Sequence, residues 1–276
     1  MATADDFEQV RNDPDPLRRG QRATELITLY QQRATELARL RKAAIKEAHL
    51  DLGLSYKEIA ERFGLTQGRV SQIRSSGPRP ERAFFGVGPV SVGIPRRFGL
   101  EEGRERPFFD ASDQATQELV ETTLERLLLA SARFAIDPDT DEPPPGDTVV
   151  ICGPKSAPVA RHLLAEDPVL GFERDDDGWW ITDSNTGLRH QSPYRQDSAN
   201  KTDLGYFSRR VADQRVVVHI AGITSVGSLG VAHWLDHHLP EIFDPAKPFV
   251  CGVVEADFSA DFAITSSRLL VGPYLR

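Results

Sequence analysis

The residues whose chemistry is easiest to read lie between Thr66 and Arg79. Arg pairs bidentately with the major-groove edge of guanine, and Gln does the same with adenine. Gln67, Arg69 and Gln72 supply those side chains within six positions. Gly68 has no side chain, which lets its backbone approach another backbone or a phosphate. Thr66, Ser71, Arg74 and Arg79 complete a candidate surface for double-stranded DNA. Arg79 and Arg82 either touch phosphate beside the groove or stand as solvated linker charges.

Two short helices are needed to present this set. Ser55 followed by Glu58 is a capping box, and Ile59, Ala60 and Phe63 form one apolar face at helical spacing. Gly64 stands where a left-handed C-cap is expected, and Leu65 plugs the turn. Thr66 caps a second helix, whose Val70 and Ile73 point back onto the first. A helix-turn-helix over about 55–76 follows, with its second helix as the one that enters the groove. An αα-hairpin that binds nothing has the same apolar pattern, but the two caps and the Gly turn in register favour the DNA-reading form. The run Glu58-Ile59-Ala60, Gly64-Leu65 and Val70-Ser71-Gln72-Ile73 resembles region 4 of bacterial sigma factors. That resemblance spans about 20 residues and implies the fold of the hairpin, not the operator.

Charge is distributed to match. The 276-residue chain carries a net charge of −8, yet Arg11–Arg82 holds 15 Lys and Arg against 9 Asp and Glu. The residues after Arg82 hold 18 basic and 29 acidic groups. A basic module on an acidic body suits local phosphate binding. Cys152 and Cys251 lie in apolar, strand-like runs and are expected to be buried reduced thiols. The acidic start (Asp5, Asp6, Glu8) is unlike a signal peptide, and no apolar run approaches 18 residues. The expected location is the cytoplasm, at the nucleoid, with no membrane contact.

Four segments are expected. Residues 1–15 read as a flexible tail. Residues 16–78 form a helical DNA-binding domain that opens on Asp13-Pro14-Asp15-Pro16 and a long helix to about Leu50, ended by Gly53. Leu26, Tyr30, Ala34, Leu37, Leu40, Ala44 and Ala48 make a seam in steps of three and four, expected to pack on the helix-turn-helix and to pair with a second copy in a homodimer. Gly77-Pro78-Arg79-Pro80 is a stiff break, so 79–82 reads as a linker. Residues 83–276 form an α/β domain for sensing or oligomerisation. Within it, Ala83–Pro95 is expected to be a strand, Arg96–Asp110 a loop, and Ser112 to about Ala135 a helix.

The rest of that domain alternates strands and helices. Thr148–Cys152, Arg215–Ile223 and Phe249–Val254 read as buried strands, Ile264–Val271 as a further one, with Val159–Leu164 and Val231–Leu239 as helices. The fold class is therefore α plus α/β: an all-α helix-turn-helix domain with a long leading helix, then an open, mostly parallel sheet with crossover helices. Two strand–Gly–helix turns offer donors to an anion at the carboxyl edge of such a sheet. The candidate ligand residues are Gly153, Pro154, Lys155 and Ser156 in one turn, Gly222, Thr224, Ser225, Gly227 and Ser228 in the other, with Asp203 and Arg209. A nucleotide or another phosphorylated small molecule is the expected guest, although neither turn has a full dinucleotide or P-loop motif and the alternative is a pair of tight turns without a ligand.

Asp203, Arg209, Glu255 and Asp257 near predicted strand ends leave open a nucleotide-acting enzyme. No G-x-S-x-G elbow occurs, so no catalytic residue is assigned. His233 and His237 share a helix face beside His238, but no metal-binding motif accompanies them and no metal is assigned. Trp179 and Trp180 fit a sheet better than a base-stacking platform. The whole layout resembles a family of actinobacterial cytoplasmic proteins that join a sigma-like helix-turn-helix to an acidic α/β domain. The matching pieces are Ser71–Arg74, Gly77–Gly86, Val149–Pro154, Asp167–Asp175 and Ile220–Ile223. The resemblance implies a DNA-binding regulator and no particular ligand. A sequence-specific regulator with a small-molecule effector is thus expected, with the enzyme and a ligand-free structural DNA binder as alternatives.

Overall fold

The computed structural model describes residues 4–194 and 201–276. Helix α2 (Pro16–Leu50) starts as Asp13-Pro14-Asp15-Pro16 predicts: Asp15 is the N-cap, its carboxylate accepting from Leu17 N at 2.9 Å, and Pro16 opens the first turn. The expected loose tail is instead folded from Ala4 onward, and of that segment only residues 1–3 lie outside the described part. Helix α1 (Ala4–Arg11) lies against α2, and the turn between them is tied by Asp13. Asp13 is buried and takes the Arg18 guanidinium at 2.6 and 2.8 Å. The Arg18 hydrogen bonds hold its carboxyl well below the usual range.

Helices α3 (Tyr56–Phe63) and α4 (Gln67–Ser76) pack on the C-terminal half of α2. Ile45, Ile59, Ala60, Val70 and Ile73 form their common core. The capping box closes at Ser55 and Glu58, and Gly64 adopts the left-handed conformation (φ +65°). Thr66 accepts from Arg69 N at 3.1 Å.

The expected linker is a structured joint. Residues Pro80–Phe85 form a 3-10 turn in which Arg82 is fully buried. Its guanidinium bonds Gln32 Oε1 at 2.7 Å and Glu36 Oε2 at 3.2 Å on α2, and the Val87 carbonyl at 2.8 Å. Phe84 and Phe85 enter the core of the α/β domain. Gly86 follows at φ +95°, where a Cβ would meet the Asp147 carboxylate at 2.2 Å. The first strand is accordingly shorter than expected, β1 (Val90–Pro95).

The expected loop 96–110 is a two-stranded hairpin, β2 (Arg97–Glu101) and β3 (Arg104–Phe108), turned through Glu102 and Gly103, both at positive φ. Helix α5 (Ala111–Arg126) is capped by Asp110, not Ser112, and stops nine residues before the expected Ala135. Leu128 turns left-handed (φ 62°), and β4 (Ser131–Ile136) pairs in parallel with β1. Sheet pairing overrides the helical spacing of that leucine run. Then come β5 (Asp147–Ile151), α6 (Pro158–Ala165), and a small antiparallel sheet of β6 (Leu170–Asp175), β7 (Gly178–Asp183) and β8 (Leu188–Gln191). The chain closes with β9 (Asp203–Ala212), β10 (Arg215–Gly222), α7 (Ser225–Ile242), β11 (Phe249–Phe258) and β12 (Ile264–Leu275).

The main sheet runs in the order β12-β11-β9-β10-β5-β1-β4. Strands β4, β1, β5 and β10 are mutually parallel, and β11 runs with them, while β9 and β12 run against them. Helices α5 and α7 cover one face over Val92, Val149, Ile151, Val218 and Ile220. Helix α6 and the small sheet cover the other, over Val150, Tyr206, Ala221 and Val253. No helix among the described residues is long and apolar enough to cross a membrane.

Arg82→Met, which keeps the length and removes the charge, is expected to cost about 3 kcal/mol, because Gln32 and the Val87 carbonyl lose their buried donor. Urea unfolding checks this, and an unchanged midpoint refutes it. Buried His219 (1% exposed) is held neutral, its pKa pushed down to about 4 by burial. A folded pKa below the unfolded one means that protons favour the unfolded chain. His219 should therefore leave stability unaffected above about pH 6.5 and take away about 2–3 kcal/mol as pH falls from there to about 4. Unfolding curves of wild type and His219→Gln across that window should converge toward low pH; parallel curves would discount the imidazole.

Candidate nucleic-acid interface

The buried side of α4 is Val70 and Ile73, so the opposite side is fixed by elimination. Thr66, Gln67, Gly68, Arg69, Ser71, Gln72 and Arg74 are all exposed, and so is Arg79 beyond the helix. Arg69 donates to Gln72 Oε1 at 2.6 Å, which draws two of the candidate side chains together one turn apart. A Cβ on Gly68 would meet nothing within 4 Å, so folding of this chain does not require glycine there. Arg74 lies 3.8 Å over the Tyr56 ring, whose centroid is 4.2 Å from that of His49 at a 30° tilt. One residue each from α2, α3 and α4 thus forms a column, and Arg74 is held against the α3 side of the motif. Lys42 on α2 donates to the Gly77 carbonyl at 2.8 Å and clamps the end of α4. Arg82, grouped with Arg79 as a phosphate contact or a solvated charge, is neither: it is buried in the joint. Sequence spacing missed this because Pro80 and Arg82 look like exposed linker until Phe84 and Phe85 draw the segment inward.

The second candidate site comes together only in part. The turns after β5 and β10 are neighbours at the carboxyl edge of adjacent parallel strands, and Lys155 donates to the Ile223 carbonyl at 3.2 Å across them. Their polar groups are mostly spent on each other. Thr224 caps α7 and donates to Asp203 Oδ2 at 2.6 Å, while Ser228 accepts from Gly222 N at 2.8 Å. Asp203 is fully buried and also receives Ser192 Oγ and Leu204 N. Burial raises its pKa against four donors. The glycines serve close approach: a Cβ on Gly222 would meet Thr224 O at 2.0 Å, and one on Gly227 would meet Leu204 O at 2.3 Å. Gly153, Pro154, Ser156 and Ser225 complete the turns, with Gly153 facing the Gly222 carbonyl. Burial and Arg97 both depress the Lys155 pKa.

Arg209 is elsewhere. It lies six residues along β9 from Asp203, about 20 Å away. There it donates to the Phe84, Ala83 and Lys247 carbonyls at 3.0–3.2 Å, and so anchors the joint. Asp203 sits opposite Ala256, so Glu255 and Asp257 face the other side of the sheet. Glu255 pairs with Arg268, and Asp257 takes the Thr202 and Ser266 hydroxyls. Each of the three helical histidines uses Nδ1 locally, on Ser267, His233 O or Trp234 O. Among the described residues no group of three or more His, Cys, Asp or Glu is placed to hold a metal. Trp179 and Trp180 are half-buried in the small sheet, and both cysteines are buried free thiols.

A family model of sigma-70 region 4 matches residues 36–77. The match begins in the middle of α2 and ends at the clamped Gly77, so it covers α3, α4 and the half of α2 that supports them. These residues are a helix-turn-helix DNA-binding module. The chain has no match among curated proteins.

Arg69→Ala is expected to weaken binding of a preferred duplex by about 1–3 kcal/mol without lowering the unfolding midpoint, since the side chain is exposed. Gly68→Ala should be neutral or slightly stabilising in the free protein. If the helix start abuts the DNA backbone, the same methyl lowers affinity. Anisotropy titrations beside thermal unfolding separate the two effects, and undiminished affinity in both variants would remove this face as the reader.

Proposed function

We propose that the chain is a sequence-specific transcriptional regulator that binds duplex DNA as a homodimer, with the α/β domain sensing a small effector. The observation that carries this reading is the exposed Gln67, Arg69, Ser71 and Gln72 face of α4, backed by Val70 and Ile73 and clamped to α2. Gln and Arg on a rigid helix are what base-edge recognition needs.

A dimer is favoured by α2. Ile27, Tyr30, Leu37 and Leu40 are 56%, 40%, 66% and 47% exposed, with Ala34 between them also exposed. Ile27, Tyr30, Ala34 and Leu37 repeat in steps of three, four and three, the seam spacing of a coiled coil. Leu26, Ala44 and Ala48 of the expected seam are half-buried and turn toward their own chain. A two-fold pair of recognition helices would demand a palindromic site with fixed spacing.

The sensor role draws on the joint, since the Arg82 contacts tie α2 to the sheet and give an effector a route to the DNA-binding helices. No catalytic role is included, and a residue such as Asp203 acts in this reading as a saturated structural acceptor.

Selection of random duplexes on the full chain should return a palindrome. Leu37→Glu should leave the fold intact, halve the mass by light scattering, and weaken binding to the palindrome much more than to a half-site. A wild-type monomer, or a selected site without symmetry, would refute the dimer.

A further inference from the structure

On the face of the sheet that carries α6, the hairpin of β9 and β10 leaves a cleft of about 360 Å3. That is within the range of small-molecule sites. Its floor is three cross-strand pairs in register: Ser208 with His219, Arg210 with Val217, and Ala212 with Arg215. Val159 and Leu163 of α6 form an apolar wall. Exposure increases along the floor from His219 (1%) and Ser208 (5%) to Ala212 at the open end.

The inner end holds an unsatisfied acceptor. The His219 Nε2 lies 2.8 Å from the Cys152 carbonyl. A carbonyl only accepts, so Nε2 carries the proton and Nδ1 presents a lone pair. That Nδ1 is buried and has no hydrogen-bond partner among the described residues. An unmade buried hydrogen bond is costly, and a donor arriving there gains accordingly.

Two residues along the strand, the floor becomes cationic. Arg210 is only 21% exposed in its side chain, and its partner Glu166, the C-cap of α6, is 60% exposed. Arg215 follows toward the mouth. The other charged groups lining the cleft are Asp141, Glu142 and Asp213, which are exposed and solvated at the rim, and His162, whose Nδ1 faces the Asp141 carbonyl. The Arg210 guanidinium is thus a half-buried charge of the cleft, lying over the Phe249 ring and paired with one exposed carboxylate that another carboxylate can replace.

We propose that this cleft binds a small carboxylic acid with an apolar body and a hydroxyl or N–H donor at the end opposite the carboxylate. The carboxylate takes Arg210 in place of Glu166, the body lies between Val217 and the Val159–Leu163 wall, and the donor meets His219 Nδ1. This site is distinct from the turns after β5 and β10, and its occupancy does not depend on the DNA-binding reading.

The test uses the full chain without DNA and 4-hydroxybenzoate as probe, whose phenol and carboxylate lie at opposite ends of a flat ring. Benzoate lacks the donor and phenol lacks the anion. Calorimetry should give saturable binding of 4-hydroxybenzoate at one site, with each control weaker by about fivefold to tenfold, the worth of one hydrogen bond or more. Arg210→Met should lose binding, whereas Glu166→Gln, which frees the guanidinium, should gain it. In a chain carrying nitrogen-15 histidine, the His219 Nδ1 resonance should move with 4-hydroxybenzoate and stay with benzoate, a readout that does not rest on any variant folding. Absence of saturable binding, equal affinity of the three probes, or an unmoved Nδ1 resonance would overturn the proposal.

Discussion

A fully buried guanidinium has few stable arrangements, because its charge must be matched at every donor it can match. Arg82 meets most of that demand through its two Nη groups, drawing Gln32 and Glu36 from α2 and the Val87 carbonyl from the segment leading to β1, while its buried Nε has no partner among the described residues. Beside it, the Asp147 carboxylate collects Val87 N, Gly88 N and Val216 N at 2.7–2.8 Å, which binds the same segment to β5 and β10. Arg209 completes the joint by holding the Ala83 and Phe84 carbonyls from β9. The stretch between the two domains is thus wired to both. Removing one member strands the others in a low-dielectric interior. What composition presents as a basic module beside an acidic body is, at its joint, one hydrogen-bonded unit.

The glycines of the α/β domain illustrate how one residue type can suggest two chemistries. A Gly-rich turn before a helix is the backbone form of an anion cradle. Here Gly205, Gly222 and Gly227 let α7 lie against β9 at backbone distance, and a Cβ on any of them would fall within 2.5 Å of a neighbouring atom. Once the helix is that close, Thr224 and Ser228 are within reach of Asp203 and Gly222 N and are consumed by them. Tight helix–sheet packing and ligand donation compete for the same groups, and in this chain packing takes most of them.

The parts of the fold legible in the sequence were those governed by local physics. Capping at Asp15, Ser55 and Thr66, the left-handed Gly64, and the apolar spacing of α3 and α4 need only neighbours a turn away. The buried strands β5, β10 and β11 announce themselves as short β-branched runs. Elements that depend on partners distant in sequence were not legible. β9 carries Gly205, two arginines and a serine, and its hairpin turns through Asp213 and Gln214 at positive φ without a glycine. β4 looks helical until β1 offers it an edge. The cleft at His219 was invisible for the same reason: Ser208, Arg210 and His219 converge only when β9 and β10 pair and α6 lies over them. The exposed face of α4 could be listed from sequence because two buried residues on a short helix determine which others are exposed.

Helix α2 connects these levels. Its C-terminal part, from Lys42 through Ile45 to His49, supports α3 and α4, and Gln32 and Glu36 bind the joint about 20 Å back along the helix axis. The covalent route from α4 to the sheet, through Gly77 and Pro80, ends at Arg82 as well. Both connections therefore meet at one side chain, and short of bending α2 the helix-turn-helix cannot shift relative to the sheet while Arg82 keeps both Gln32 and Val87. An effector alters DNA affinity only by preferring one of two arrangements. In this architecture the arrangements must differ at Arg82 or in the bending of α2, and the second is resisted by an unbroken helix of 35 residues with no internal proline. The joint is thus the element on which any coupling between an occupied α/β domain and the groove has to act.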